Sequence, residues 1–234
     1  MTEFRKSVDP SATEPFRPPL TSALDYFESA WAFTSKFYSE ELERIGSVVF
    51  DQVTPEFFFR EVIWVIHATG FSAAAVSSFF PDLILSYGDF RTLPTNTSAV
   101  LNATLVCNNP QKINAIVKIA SLMNSGISSF GWDQYRSREL STPELLDRLP
   151  FIGPVTSHHL ARNLGLLDSV KPDLHLVRLA DFFSFSSPLD MCKSIQSGFS
   201  TAHHQLIPLG LIDLALWYAA STFGTLSVRK PNQR

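Results

Sequence analysis

Almost no stretch of this chain alternates apolar and polar residues with the period of two that a half-buried strand requires; its apolar residues recur at spacings of three and four. That pattern predicts an all-α fold. Leu24, Phe27, Trp31, Phe33, Phe37 and Tyr38 form one helical stripe, with Thr21 or Ser22 as its cap. Thr54 caps a second helix whose first residue is Pro55, where a missing N–H costs nothing, and its apolar face runs from Phe58 through Val62, Val65 and Ile66. Gly70 breaks that stripe, and a short helix over 72–80 is expected to stop at Pro81. Further helices are predicted over 97–106, 110–123, 142–148, 155–164, 173–183 and 206–223. Residues 1–20, polar and rich in Pro, Ser and Thr, read as an extended arm.

A chain of 234 residues buries about 70% of its unfolded surface and needs no disulfide staples. The two cysteines, Cys107 and Cys192, suit a reducing compartment. Arg60 with Glu61, and Asp213, interrupt the two most apolar stretches, so no membrane span is expected. Glu3, Arg5, Lys6 and Asp9 ahead of Pro10 leave no apolar core for a secretory signal, which points to the cytoplasm, or to the nucleus in a eukaryote. Two helical lobes are expected, residues 55–140 in one and residues 21–54 with 141–234 in the other. A net charge of -3 speaks weakly against nucleic acid, although the acidic excess lies before residue 140.

The segment with chemistry in it is 145–179, LLDRLPFIGPVTSHHLARNLGLLDSVKPDLHLVRL. A short helix ends at Arg148, a tight turn follows through Leu149, Pro150, Phe151, Ile152, Gly153 and Pro154, and a new helix opens at Val155 and Thr156. The start of a helix carries unpaired N–H groups and the positive end of the dipole. It holds a phosphate without any basic patch, which reconciles DNA binding with a net acidic chain. A corner in a helical core would show the same pattern.

Four features of the sequence, spanning about residues 50–225 in order, resemble the helix-hairpin-helix (HhH-GPD) DNA glycosylases. Leu149-Pro150-Phe151-Ile152-Gly153 is similar to that family's Leu-Pro-Gly-Ile/Val-Gly hairpin, and Asp173-Leu174-His175-Leu176-Val177-Arg178 to its Asp-x-His-x-x-Arg motif. The helix containing Val65-Ile66-His67-Ala68-Thr69, and Pro110-Gln111-Lys112-Ile113-Asn114-Ala115-Ile116, are similar to two further family helices. The resemblance implies a two-lobed helical fold in which Asp173 is the catalytic carboxylate. It implies DNA contacts from Pro150, Phe151, Ile152, Gly153, Val155, Thr156, His175 and Arg178, with His67 or Ala68 filling the gap left by a flipped base. It also implies a Na+ or K+ ion on the carbonyls of Phe151, Ile152 and Gly153.

The departures are informative too. Phe151 stands where the family has glycine, which strains the hairpin if that position needs a positive φ. Val155 replaces the lysine nucleophile of bifunctional members, so a monofunctional enzyme is expected. Two cysteines cannot supply the four that an iron-sulfur cluster takes. His158-His159 and His203-His204 are adjacent pairs that diverge by about 100° on a helix, which argues against zinc.

Cleavage of an N-glycosidic bond builds positive charge on the sugar, which a carboxylate at Asp173 would stabilise, on a base turned out of the stack. The expected partner is double-stranded DNA with a damaged or mispaired base, met by a monomer with no required cofactor. The 20 phenylalanines and four tryptophans favour electron-poor alkylated bases. Two alternatives stay open: a non-catalytic helix-hairpin-helix module that recognises distorted DNA, with Asp173 as a mere helix cap, and a hydrolase of small nucleosides.

Overall fold

The computed structural model describes Pro18 and residues 20–224, so all but two residues of the expected N-terminal arm lie outside it. Among the described residues there are twelve α-helices and no strand: α1 (Ala23–Phe37), α2 (Ser39–Gly46), α3 (Pro55–Ala68), α4 (Ala73–Tyr87), α5 (Thr97–Val106), α6 (Pro110–Phe130), α7 (Trp132–Glu139), α8 (Pro143–Leu146), α9 (Pro154–Asn163), α10 (Leu174–Phe182), α11 (Pro188–His203) and α12 (Leu209–Phe223). No described helix is long and apolar enough to cross a membrane. The chain divides into two compact units, one of residues 48–166 and one of residues 20–47 with 167–224.

Side-chain caps start the helices of the first unit where the sequence places them. The hydroxyl of Thr54 accepts from Phe57 N at 3.2 Å, and Asn109 Oδ1 accepts from Lys112 N at 3.2 Å. Around α3 the unit buries Phe58, Val62, Ile63, Val65 and Ile66 against Leu83, Ile116, Ile119 and Met123. Helix α9 packs on both α3 and α8. Leu146, Leu149, Ile152, Leu160 and Leu164 thereby join this core, so the hairpin belongs with 55–140 and not with the lobe expected for 141–234. The second unit surrounds α12, which packs against α1, α2, α10 and α11 and buries Ile212, Ala215, Leu216 and Ala219 against Phe27, Leu176 and Ile195.

Two helices outrun their expected ends. Helix α4 continues through Pro81 to Tyr87, because Val76, Phe80, Leu83 and Tyr87 keep one apolar face buried. That burial offsets the roughly 3 kcal/mol an interior proline costs. Helix α6 continues past Met123, and Asn124 Nδ2 donates to the carbonyls of Phe90 and Arg91 at 3.2 and 3.0 Å. Helices α2, α7 and α11 lie where no helical stripe is predicted, although α11 buries Met191, Cys192, Ile195 and Phe199 at helical spacing.

Candidate functional site

The hairpin is built by three local devices. Ile152 N donates to Leu149 O at 3.1 Å and closes the turn, which leaves Phe151 at φ 67°. Gly153 then caps α9, with Pro154 as its first residue. The Thr156 hydroxyl accepts from Gly153 N at 2.7 Å and donates to Gly153 O at 3.1 Å, which locks the entry into the helix. Gly153 O also accepts from Ser157 N at 2.8 Å, so of the three carbonyls expected to hold a monovalent cation this one is already engaged. The N–H groups of Val155 and Thr156, at the second and third positions of α9, have no acceptor inside the helix and stand at the positive end of its dipole.

The left-handed conformation at Phe151 is the one that glycine adopts freely and that costs other residues about 1–2 kcal/mol. Phe151 is 39% exposed, so its ring recovers only part of what a buried ring would contribute. Phe151→Gly is therefore expected to leave unfolding free energy within about 1 kcal/mol of the parent, against the 3–5 kcal/mol that truncating a core phenylalanine costs. Urea denaturation checks this, and a loss above 3 kcal/mol would mean that the ring holds the hairpin together.

Pro150 and Phe151 also border an open recess of about 300 Å³ whose other wall is α6, through Gln111, Asn114, Ala115 and Lys118. Gln111, Asn114 and Lys118 are exposed and fall on one helical face. Sequence reasoning missed these three residues: their spacing is visible in the chain, but only the packing of the first unit brings them to the hairpin. Should the hairpin grip a phosphate, Lys118→Ala is expected to weaken duplex binding equally for all sequences and to lower the salt slope of log K by about 1. Fluorescence anisotropy across a salt series measures both.

In the second unit Asp173 is the N-cap of α10. Its Oδ1 accepts from His175 N at 3.0 Å and Leu176 N at 3.1 Å. Its Oδ2 faces the ammonium of Lys171 at 3.4 Å, with the two side chains 12% and 16% exposed respectively. The Lys171 ammonium also lies 5.8 Å from the centre of the Trp217 ring. Behind this loop Asp213, 0% exposed on α12, accepts from Lys171 N at 3.0 Å through Oδ2. Three groups thus fix one nearly buried carboxylate at a helix start, the two α10 amides and the Lys171 ammonium, and Asp213 of α12 holds the backbone of that lysine. His175 serves this loop through its backbone N–H, while Arg178 lies exposed on α10.

The gap-filling expectation fails for His67. Its ring is 0% exposed, and Nε2 lies 3.1 Å from the Tyr87 hydroxyl. Burial, assisted by the nearby Lys112 charge, pulls its pKa down from the ordinary 6.5 to about 4. Lys112 is itself buried and donates to the carbonyls of His67 and Thr69 at 3.0 and 2.6 Å, satisfying the end of α3. Ala68 is part-exposed but packs on the core with its single methyl. An exposed aromatic side chain at this corner is Phe71, whose ring lies 4.6 Å from the Lys112 ammonium. Arg162, in the same segment as the hairpin, is buried in the first unit.

Among the described residues no three His, Cys, Asp or Glu side chains gather in a way that could hold a metal ion. Both cysteines are buried and unbridged. No family model matches the chain, and no curated protein and no solved structure matches it.

Proposed function

We propose that this protein is a monofunctional DNA glycosylase, which hydrolyses the N-glycosidic bond of a damaged or mispaired base turned out of a duplex. The observation that carries the proposal is the state of Asp173. A carboxylate with one oxygen held by two backbone amides and the other set against a lysine is a fixed, oriented negative charge. That is what a sugar carbon developing oxocarbenium character requires, because a preoriented charge pays no reorganisation during the reaction. Asp173 stabilises that carbon and receives the proton of the attacking water. Supporting this assignment, a hairpin that opens a helix with Val155 and Thr156 N–H groups precedes Asp173 by about 20 residues. The hairpin would hold a backbone phosphate, in keeping with a chain of net charge -3.

The rival is a binding module in which Asp173 only caps α10, and the two bonds at Oδ1 are what a cap makes. Incubation with duplexes carrying one lesion each, under single-turnover conditions, separates the two. The glycosylase leaves abasic sites that break only on alkali treatment, with one class of lesion. Breaks without alkali would contradict the monofunctional assignment, and binding of lesions without any base release would favour the module.

A further inference from the structure

We infer that Lys171 acts on the departing base, and that this restricts the substrates to bases that are neutral in DNA, such as uracil, hypoxanthine or oxidised guanine. The inference rests on the glycosylase reading of Asp173 and goes further by naming the substrate class. The ammonium of Lys171 lies 3.4 Å from Asp173 Oδ2. A sugar carbon that approaches this oxygen brings its attached base within reach of the same ammonium. The lysine is held there from three sides. Asp213 fixes its backbone N–H at 3.0 Å, Asp173 faces its charge, and the Trp217 ring lies 5.8 Å from Nζ.

The chemistry then differs by leaving group. A neutral base departs with the electron pair of the C1′–N bond, so negative charge develops on it and a proton must follow. Lys171 supplies that proton to the base nitrogen. Water oxygen bonds to C1′ and gives its proton to Asp173, from which it returns to Lys171, so nothing else is consumed. An N7-alkylated purine is already cationic and departs neutral. It gains nothing from a proton donor, and it would have to approach an aromatic face already occupied by a cation. The preference for alkylated bases expected from the aromatic content is thereby reversed, because this ring is paired with a fixed positive charge.

The test compares single-turnover release of uracil, hypoxanthine and 8-oxoguanine with release of 7-methylguanine from otherwise identical duplexes, using the full chain, Lys171→Met, Lys171→Arg and Asp173→Asn. The parent is expected to release at least one neutral base faster than 7-methylguanine. Lys171→Met and Lys171→Arg should both slow that release about 100-fold, because a guanidinium keeps the charge but does not give up a proton. Faster release of 7-methylguanine than of every neutral base, or an unchanged rate in Lys171→Met, would overturn the role of Lys171 and leave the glycosylase intact. Absence of release from all four duplexes by the parent would overturn both.

Discussion

Asp173→Asn is expected to slow base release by a factor of about 10²–10³ while leaving the fold and duplex binding in place. The separation follows from the two oxygens of the side chain. Asparagine caps helices as well as aspartate does, so its amide oxygen keeps the bonds from His175 N and Leu176 N and the helix start survives. What disappears is the negative charge. Lys171 loses its partner at 3.4 Å, and the sugar loses the anion that offsets its developing charge. Asp173→Ala removes the cap as well, at about 1 kcal/mol of stability, which thermal unfolding of the two variants side by side would resolve. A pure cap shares the stability defect of Asp173→Ala but predicts no defect of any kind in Asp173→Asn.

The second large effect is on stability against pH, and it belongs to His67. In the unfolded chain this imidazole titrates near 6.5; in the folded protein burial lowers that to about 4. Between those values the unfolded state binds the extra proton, so stability rises with pH across this window and is lost as the pH falls. Above 6.5 the ring is neutral in both states and contributes no slope. The loss from this one group reaches about 2 kcal/mol at pH 5 and approaches roughly 3 kcal/mol near pH 4. Urea denaturation at pH 7 and pH 5 measures it. His67→Gln, which keeps a polar group near Tyr87 but does not titrate, should lose about 2 kcal/mol less than the parent between those two conditions. Equal losses in both proteins would mean that the ring is not buried as described.

The helix starts were legible because their signals are local. Thr54 with Pro55 and Asn109 with Pro110 fix N-termini with atoms at most three residues apart, and α5 spans the predicted 97–106. Asp173 was legible in the same way, as a Pro-Asp step before an apolar helix. The misplaced features depend on packing between distant segments. Pro81 did not end α4 because residues on both sides of it share one buried face. The resemblance implies a wedge at His67, yet its side chain on α3 turns toward Tyr87, 20 residues away. Lys118 and Asn114 carried no signal of their own, since a polar stripe on an amphipathic helix is what any solvated face shows. Lys171 carries no local signal for its role, because its neighbours Asp213 and Trp217 lie more than 40 residues further along the chain.

On the glycosylase reading proposed here, the carboxylate at position 173 drives release of a free base from DNA. The most direct measurement is mass spectrometry of small molecules liberated from a pool of duplexes carrying different lesions, with the parent and Asp173→Asn treated identically. A free base is expected in the parent reaction, its mass naming the substrate, with at least a hundredfold less of it from Asp173→Asn. Lesion-dependent binding without any liberated base, or equal liberation by the two proteins, would contradict it.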